Sequence, residues 1–393
     1  MTIDPLRGIP LLGDLPPLEG TRVLVRVDFN VPLHIGVRGR ATVADDFRIN
    51  AALPTLRRLL DEGAEVTAAS HLGRPSGAPD PRWEMDPVRE RLAVLCPGVM
   101  LSENLRFDPG EKANDPAFVQ RLIDGYDAYV DEAFGAAHRA DASIVGPPHF
   151  LPSAAGLRFA REIEVLGGIL EAPARPFVAV VGGAKVADKL EVLKILATKV
   201  DTLIVGGGMA FTFLAARGQH VGTSLFDEAH LEDCRTLLES GVRILLPTDT
   251  RALEPGGSFG PSSQGEGHKG SVKVIEGDLP DGWTGLDIGP DSAAAFASAV
   301  GDAGTVLWNG PLGAFEDRRF AEGTRVVAEA VAHSPGFSVV GGGDSASALE
   351  ELGLKEKVGY LSTGGGASLS FIESEGHLPG IDALRGAPNA PKE

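Results

Sequence analysis

The chain has 393 residues, 43% of them apolar, which is enough for two or three domains with full-sized cores. A net charge of −18 argues against nucleic acid or a membrane surface as partner, and any anionic ligand must then be held by a local cluster of cations. Two cysteines, Cys96 and Cys234, give neither a disulfide framework nor metal-ligand spacing, and with no signal-peptide core and no bilayer-length apolar run a soluble, cytoplasmic protein is expected.

From the N-terminus onward, short apolar strands alternate with amphipathic helices. Strands are predicted at residues 22–27, 65–69, 127–130, 177–181, 202–205, 243–246, 305–308 and 337–340. This alternation predicts parallel sheets covered by helices on both faces, with more strands than one compact sheet usually carries. The expected fold class is α/β, with two doubly wound, Rossmann-like domains. Gly146, Pro147, Pro148 and Pro152 close the first half, a helical stretch at about 155–170 follows, and EAPARP leads into the next strand. One domain is therefore expected at 1–154, an interdomain helix and hinge at 155–175, and a second domain from 176. Residues 254–282, Gly-rich and polar with one strand-like run at 272–275, read as a surface excursion, and the tail from Gly386 reads as a frayed terminus.

Lys112 is the sole lysine before Lys185, so the first half relies on arginine. Asp28 and Asn30 leave the first strand in VRVDFNVP, where short polar side chains either bind hydroxyl groups or satisfy the turn. Arg48 follows an acidic pair, Arg74 sits in the turn SHLGRP, Arg106 lies in ENLRF, and Arg139 closes AHR. Guanidinium forks match phosphate and carboxylate, so several at strand ends would make an anion site; a surface salt bridge is the plainer reading of any one. His71 is either a phosphate donor or an ordinary hydrogen-bonded histidine.

Residues 176–196, PFVAVVGGAKVADKLEVLKIL, read as strand, glycine turn and helix. The helix is predicted from about Ala184, because Val186, Leu190, Leu193 and Leu196 fall three or four apart. Lys185 and Lys189 then share a face in its first turns, where the helix dipole disfavours cations unless an anion is bound. A solvated basic face is the alternative. The segment is not a Walker A loop, since the chain contains no Gly-Lys pair, and GGAKVADK does not fit GxGxxG.

Three Gly triplets follow, at Gly206 to Gly208, Gly341 to Gly343 and Gly364 to Gly366. Such loops either let backbone approach a ligand or allow tight strand-to-helix packing. Asp344 and Ser345 open a predicted helix after VVGGG, as a plain cap or, for the aspartate, as a holder of Mg2+ against nucleotide phosphates. Glu316 in WNGPLGAFE suits a ribose hydroxyl.

Taken together, these segments closely resemble phosphoglycerate kinases. The match runs in order through VRVDFNVPL, SHLGRP, ENLRF, AFGAAHRA, VVGGAKVADKL, VGGGMAFTFL, GTSLFDE, GLDIGP, WNGPLGAFE, VVGGGDSAS and STGGGASL. Two departures stand out: Asp131 and Glu132 occupy positions where the family usually has Asn-Asp, and Ser345 stands where Thr is common.

The resemblance implies transfer of a phosphoryl group between 1,3-bisphosphoglycerate and ADP, giving 3-phosphoglycerate and ATP, with Mg2+ accompanying the nucleotide. It implies that the first domain binds the acid and that the segment 372–393 returns to it, while 176–371 binds the nucleotide. The acid site would comprise Asp28, Phe29, Asn30, Arg48, His71, Leu72, Gly73, Arg74, Arg106 and Arg139. The nucleotide site would comprise Lys185, Lys189, Gly207, Gly208, Gly285, Glu316, Gly342, Gly343, Asp344 and Ser345, with Asp344 on the metal. Arg48, Lys185, Lys189 and Gly343 would serve the transfer itself, assisted around Gly364 to Gly366, and domain closure would bring the ligands together. A monomer is expected. An inactive binding protein of this fold and a dinucleotide-dependent dehydrogenase are the competing readings, the second opposed by the missing GxGxxG.

Overall fold

The computed structural model describes residues 4–36, 40–260 and 269–391. Part of the predicted surface excursion, 261–268, and the last two residues of the predicted frayed tail lie outside the described residues. The chain divides into two compact units, one running to Gly167 and resuming at Ser374, the other spanning Gly168 to Glu373. The division falls inside one helix, Leu157–Glu171.

The first unit carries a five-stranded, wholly parallel sheet. Its spatial order is Met100–Leu101, Glu65–Ala69, Arg22–Arg26, Ala128–Asp131 and Ser153–Ala155. Val23 and Val25 join Ile49, Leu53 and Leu56 in one apolar cluster, while Leu24 and Tyr129 join Phe118 and Val119 in another. Successive side chains of a strand point to opposite faces, so a run such as VLV packs a strand covered on both sides. Sequence order along the sheet reverses between Arg22–Arg26 and Ala128–Asp131, and ligands of open α/β sheets bind beyond the carboxyl ends of strands at such a point.

The C-terminal helix Pro379–Arg385 docks on this unit, where Gly380 N–H donates to the Ala137 carbonyl at 2.9 Å. The tail expected to fray is instead tied down. Asn389 Nδ2 donates to the carbonyls of Asp14 at 3.1 Å and Ser153 at 3.0 Å, and its Oδ1 accepts from Ser153 N–H at 2.8 Å. One amide thus satisfies the backbone of an edge strand, which the polar composition of the tail does not reveal.

The second unit holds a six-stranded parallel sheet. It runs Arg243–Leu245, Thr202–Val205, Phe177–Val181, Thr305–Asn309, Phe337–Gly341 and Tyr360–Leu361. The order again reverses beside the first strand in sequence, between Phe177–Val181 and Thr305–Asn309. A separate antiparallel sheet pairs Asp249–Leu253 with Val272–Glu276 on one side and Thr284–Ile288 on the other.

The turn after Phe177–Val181 departs from the prediction. The helix runs Leu190–Lys199, with Lys189 as its N-cap residue, so Lys185 and Lys189 do not share a helix face. Gly183 takes φ +128°, and a Cβ on Gly182 would lie 2.0 Å from the Pro311 carbonyl oxygen, so the chain passes tightly over the strand ends before any helix begins. Val186 is fully buried from a non-helical turn, closed by Lys189 N–H donating to the Val186 carbonyl at 3.0 Å. Its spacing from Leu190 reports burial rather than helix.

Candidate active site

In the first unit, the carboxyl ends of the strands beside the order reversal gather most of the predicted acid-site residues. Arg48 NH1 donates to Asp28 Oδ2 at 2.5 Å. Burial alone would raise the Asp28 carboxyl, but Arg48 leads a set of neighbours that hold it below the ordinary carboxylate value. Asn30 Oδ1 accepts from Gly73 N–H at 2.8 Å, and Arg106 NH1 donates to the Gly73 carbonyl at 2.9 Å, so one glycine ties these two side chains together. Gly73 has φ +63° and the Trp83 ring covers it, leaving no room for a Cβ.

Arg106 is 6% exposed and its Nε has no hydrogen-bond partner among the described residues. Burial and then the neighbouring Arg139 push its guanidinium below the ordinary arginine value. The Asp141 carboxylate lies 3.8 Å from the same guanidinium and partly offsets Arg139, which leaves two cations facing one buried carboxylate here. His71 is 3% exposed, and burial followed by Arg26 pushes its pKa down to about 2, so it is a neutral imidazole. Arg139 Nε donates to His138 Nε2 at 3.2 Å, while Arg74 is exposed. Phe29 and Leu72 are fully buried in the apolar core, so only their backbone reaches the strand-end loops.

In the second unit, Lys189 occupies the corresponding point. Its Nζ donates to the carbonyls of Gly182 at 2.6 Å and Asn309 at 3.2 Å and to Asn309 Oδ1 at 2.7 Å. Burial lowers its pKa to about 8, opposed by Asp344 and Asp188. Lys185 is exposed, makes no hydrogen bond to any described residue, and lines a cavity of about 320 Å3 with Thr212, Leu225, Phe226 and Asp227. Asp344 is exposed in the first turn of the Gly343–Glu351 helix.

The glycines separate into two groups. Cβ atoms on Gly207 and Gly208 would meet backbone of Gly183 and Ala184 at 2.6 and 2.8 Å, and one on Gly285 would meet the Phe211 ring at 2.2 Å, so packing alone requires them. Around Gly343, Gly365 and Gly366 a Cβ would meet nothing within 4 Å, which leaves open space before two helix starts. Ser345 is fully buried and its hydroxyl oxygen accepts from Gly310 N–H at 2.7 Å, a clamp on the neighbouring strand-end loop. Glu316 is exposed.

Residues 12–98 and 97–375 match the model of one family, described as phosphoglycerate kinase. The chain belongs to the phosphoglycerate kinase family. It is 48% identical over 395 residues to the phosphoglycerate kinase of Moorella thermoacetica, covering 93% of this chain and 97% of that one. The Rubrobacter xylanophilus phosphoglycerate kinase is 47% identical over 391 residues, covering 93% and 96%. The solved structure of phosphoglycerate kinase from Coxiella burnetii superposes with a TM-score of 0.83 at 35% identity, covering 96% of this chain and 98% of that one.

Sequence reasoning missed Asn309, Thr212 and the exposed apolar pair Leu225 and Phe226. The last two lie in GTSLFDE, where adjacent apolar residues outside any periodic segment are the available signal. Asp131 and Glu132 are both buried, and burial raises their carboxyls to about 7 and about 8. Glu132 accepts from Thr55 Oγ1 at 2.7 Å and from the N–H groups of Arg158 and Phe159 at the start of the Leu157–Glu171 helix. Its role is to cap that helix from a distance. No helix among the described residues is long and apolar enough to cross a membrane.

Proposed function

We propose that the chain transfers a phosphoryl group reversibly between 1,3-bisphosphoglycerate and ADP, with the Asp28, Asn30, Arg48, His71, Arg106 and Arg139 cluster holding the acid and the Lys185, Lys189 and Asp344 cluster holding the nucleotide. The observation that carries the reading is Arg106, a buried cation whose Nε has no hydrogen-bond partner among the described residues and which lies beside Arg139. An acyl phosphate's leaving carboxylate and the phosphate oxygen of ADP are both ionised at neutral pH, so no general base is required. Catalysis reduces to positioning and to stabilising charge on the transferring group. Arg48 supplies that charge from the first unit, Lys185 and Lys189 from the second, with N–H groups at Gly343 and around Gly364 to Gly366.

Among the described residues no cluster of three or more His, Cys, Asp or Glu forms a cage for a metal. Asp344, in the first turn of the Gly343–Glu351 helix, offers a hard carboxylate oxygen near Lys189, as Asp188 also does, which fits Mg2+ held mainly by nucleotide phosphates and water. When bound, the ion neutralises phosphate charge; Asp344 orients it. Because the ligands are held on separate units, closure of the units around them, with water excluded, belongs to the same proposal. So do a cytoplasmic location and action as a monomer.

The test is turnover with ATP, Mg2+ and 3-phosphoglycerate, coupled to an NADH-consuming dehydrogenase, for the wild type and Arg106→Ala. Turnover in the wild type with the acid KM raised at least ~10-fold in the variant supports the assignment, since a charge-assisted hydrogen bond is worth that much or more. An unchanged KM places the acid elsewhere.

A further inference from the structure

A buried hydrogen-bond chain in the first unit ends on His71. Arg26, Glu111, Ser143 and His71 come from four separate segments, and none is more than 3% exposed. Ser143 donates to Glu111 twice, from its N–H to Oε2 at 2.9 Å and from its hydroxyl to Oε1 at 2.6 Å. Arg26 donates Nε to Ser143 Oγ at 2.7 Å, NH1 to the Val27 carbonyl at 2.5 Å and NH2 to His71 Nδ1 at 3.2 Å.

Chemistry assigns every proton along this chain. Arginine has no acceptor, so Ser143 Oγ and His71 Nδ1 must both accept from it. Ser143 then spends its one hydroxyl proton on Glu111, which takes it as a carboxylate 3.9 Å from the Arg26 guanidinium. With Nδ1 accepting, the single proton of a neutral imidazole sits on Nε2. That nitrogen makes no hydrogen bond to any described residue.

We propose that Glu111, Ser143 and Arg26 are positioning residues that fix His71 as its Nε2–H tautomer, giving the anionic substrate a directed neutral donor. The inference rests on the reading that His71 faces the acid. The charged groups around the ring are Arg26, Asp28, Arg106 and Arg139. Against that surplus of cations an imidazolium would be repelled, and the opposite tautomer would turn a lone pair toward the ligand's negative oxygens. A buried arginine aimed at Nδ1 excludes both forms, and Glu111 balances its charge through Ser143.

The ring nitrogens report this directly. In 15N-histidine-labelled protein, with His71 assigned through His71→Gln, the expected spectrum shows an unprotonated Nδ1 and a protonated Nε2 that do not titrate between about pH 5 and 8. A protonated Nδ1, or an ordinary titration, overturns the proposal. Arg26→Met leaves Glu111 buried without its cation, so Arg26→Met combined with Glu111→Gln provides a neutral replacement that keeps the fold testable. In either variant Nδ1–H signal should emerge and the acid KM should rise ~10-fold with kcat little changed, as for loss of one directed hydrogen bond. An unaltered tautomer in the double variant also overturns it. The spectrum needs no substrate, so a wild type with the expected tautomer but no turnover and no shift on adding 3-phosphoglycerate would count against the functional reading instead.

Discussion

Lys189 Nζ donates to Asn309 Oδ1 at 2.7 Å, and through Gly182 and Asn309 it bridges the ends of two neighbouring strands. The ammonium is therefore preorganised by neutral acceptors on its protein side, and the carboxylates that act on it among the described residues are Asp344 and Asp188. A phosphate bound there, as proposed above, would supply the counter-charge that the neutral acceptors do not.

Two opposite pH trends follow from one lysine. In the proposed role the ammonium must be charged, so kcat/KM for nucleotide should fall as pH rises through about 8. Stability should move the other way. Above that value the unfolded chain keeps a proton, up to the ordinary 10.5, that the folded protein has lost, so this lysine makes stability rise with pH between the two. Lys189→Arg should abolish both trends. An alkaline limb that persists in the arginine variant would assign it to another group.

Glu132 gives a third pH signature. Burial raises its carboxyl from 4.5 to about 8, so its protonated form favours the folded protein. That contribution is complete below about 4.5 and is lost as pH rises through about 8. Glu132→Gln imitates the neutral, protonated carboxyl and should match wild type to within about 1 kcal/mol at low pH. Between about pH 4.5 and 8 wild type alone should lose stability, read from urea midpoints; a difference that stays constant with pH would show that the carboxyl does not titrate.

The Leu157–Glu171 helix contains Gly167 and Gly168, and the two differ in surroundings. A Cβ on Gly168 meets nothing within 4 Å, whereas one on Gly167 would lie 2.6 Å from Pro5. Gly168→Ala should therefore stabilise the protein by about 0.5–1 kcal/mol through helix propensity, and Gly167→Ala should destabilise it. Urea unfolding of the pair decides this, and equal effects would contradict the packing seen at Pro5.

Much of the fold is legible in the sequence. All eight predicted strands are present; most, such as Phe177–Val181 and Thr305–Asn309, are buried on both faces and so read as continuous apolar runs, while the half-exposed edge strand Arg243–Leu245 does not owe its place to such burial. Lys189 is legible because it follows one of the buried strands, and Arg48 and Arg106 because they sit in the segments VADDFRIN and ENLRF. Arg26 is not, since its burial depends on Glu111 and Ser143, far away in sequence. Nor is Asn309, whose side chain acts on a residue 120 positions distant. The start of the Leu190–Lys199 helix escapes prediction for a related reason: tertiary contact at Gly182, not local propensity, decides where the chain turns. Phe29 and Leu72 belong to a family motif while their side chains serve the core.

The placing of phosphoryl transfer at Lys189 is tested most directly by comparing wild type with Lys189→Ala in the coupled assay with ATP, Mg2+ and 3-phosphoglycerate. The expected outcome is turnover in the wild type and a loss of at least ~2–3 kcal/mol of transition-state stabilisation, about 100-fold in rate, in the variant. A variant that turns over at near the wild-type rate would contradict the placing of the reaction at the strand end that Lys189 occupies.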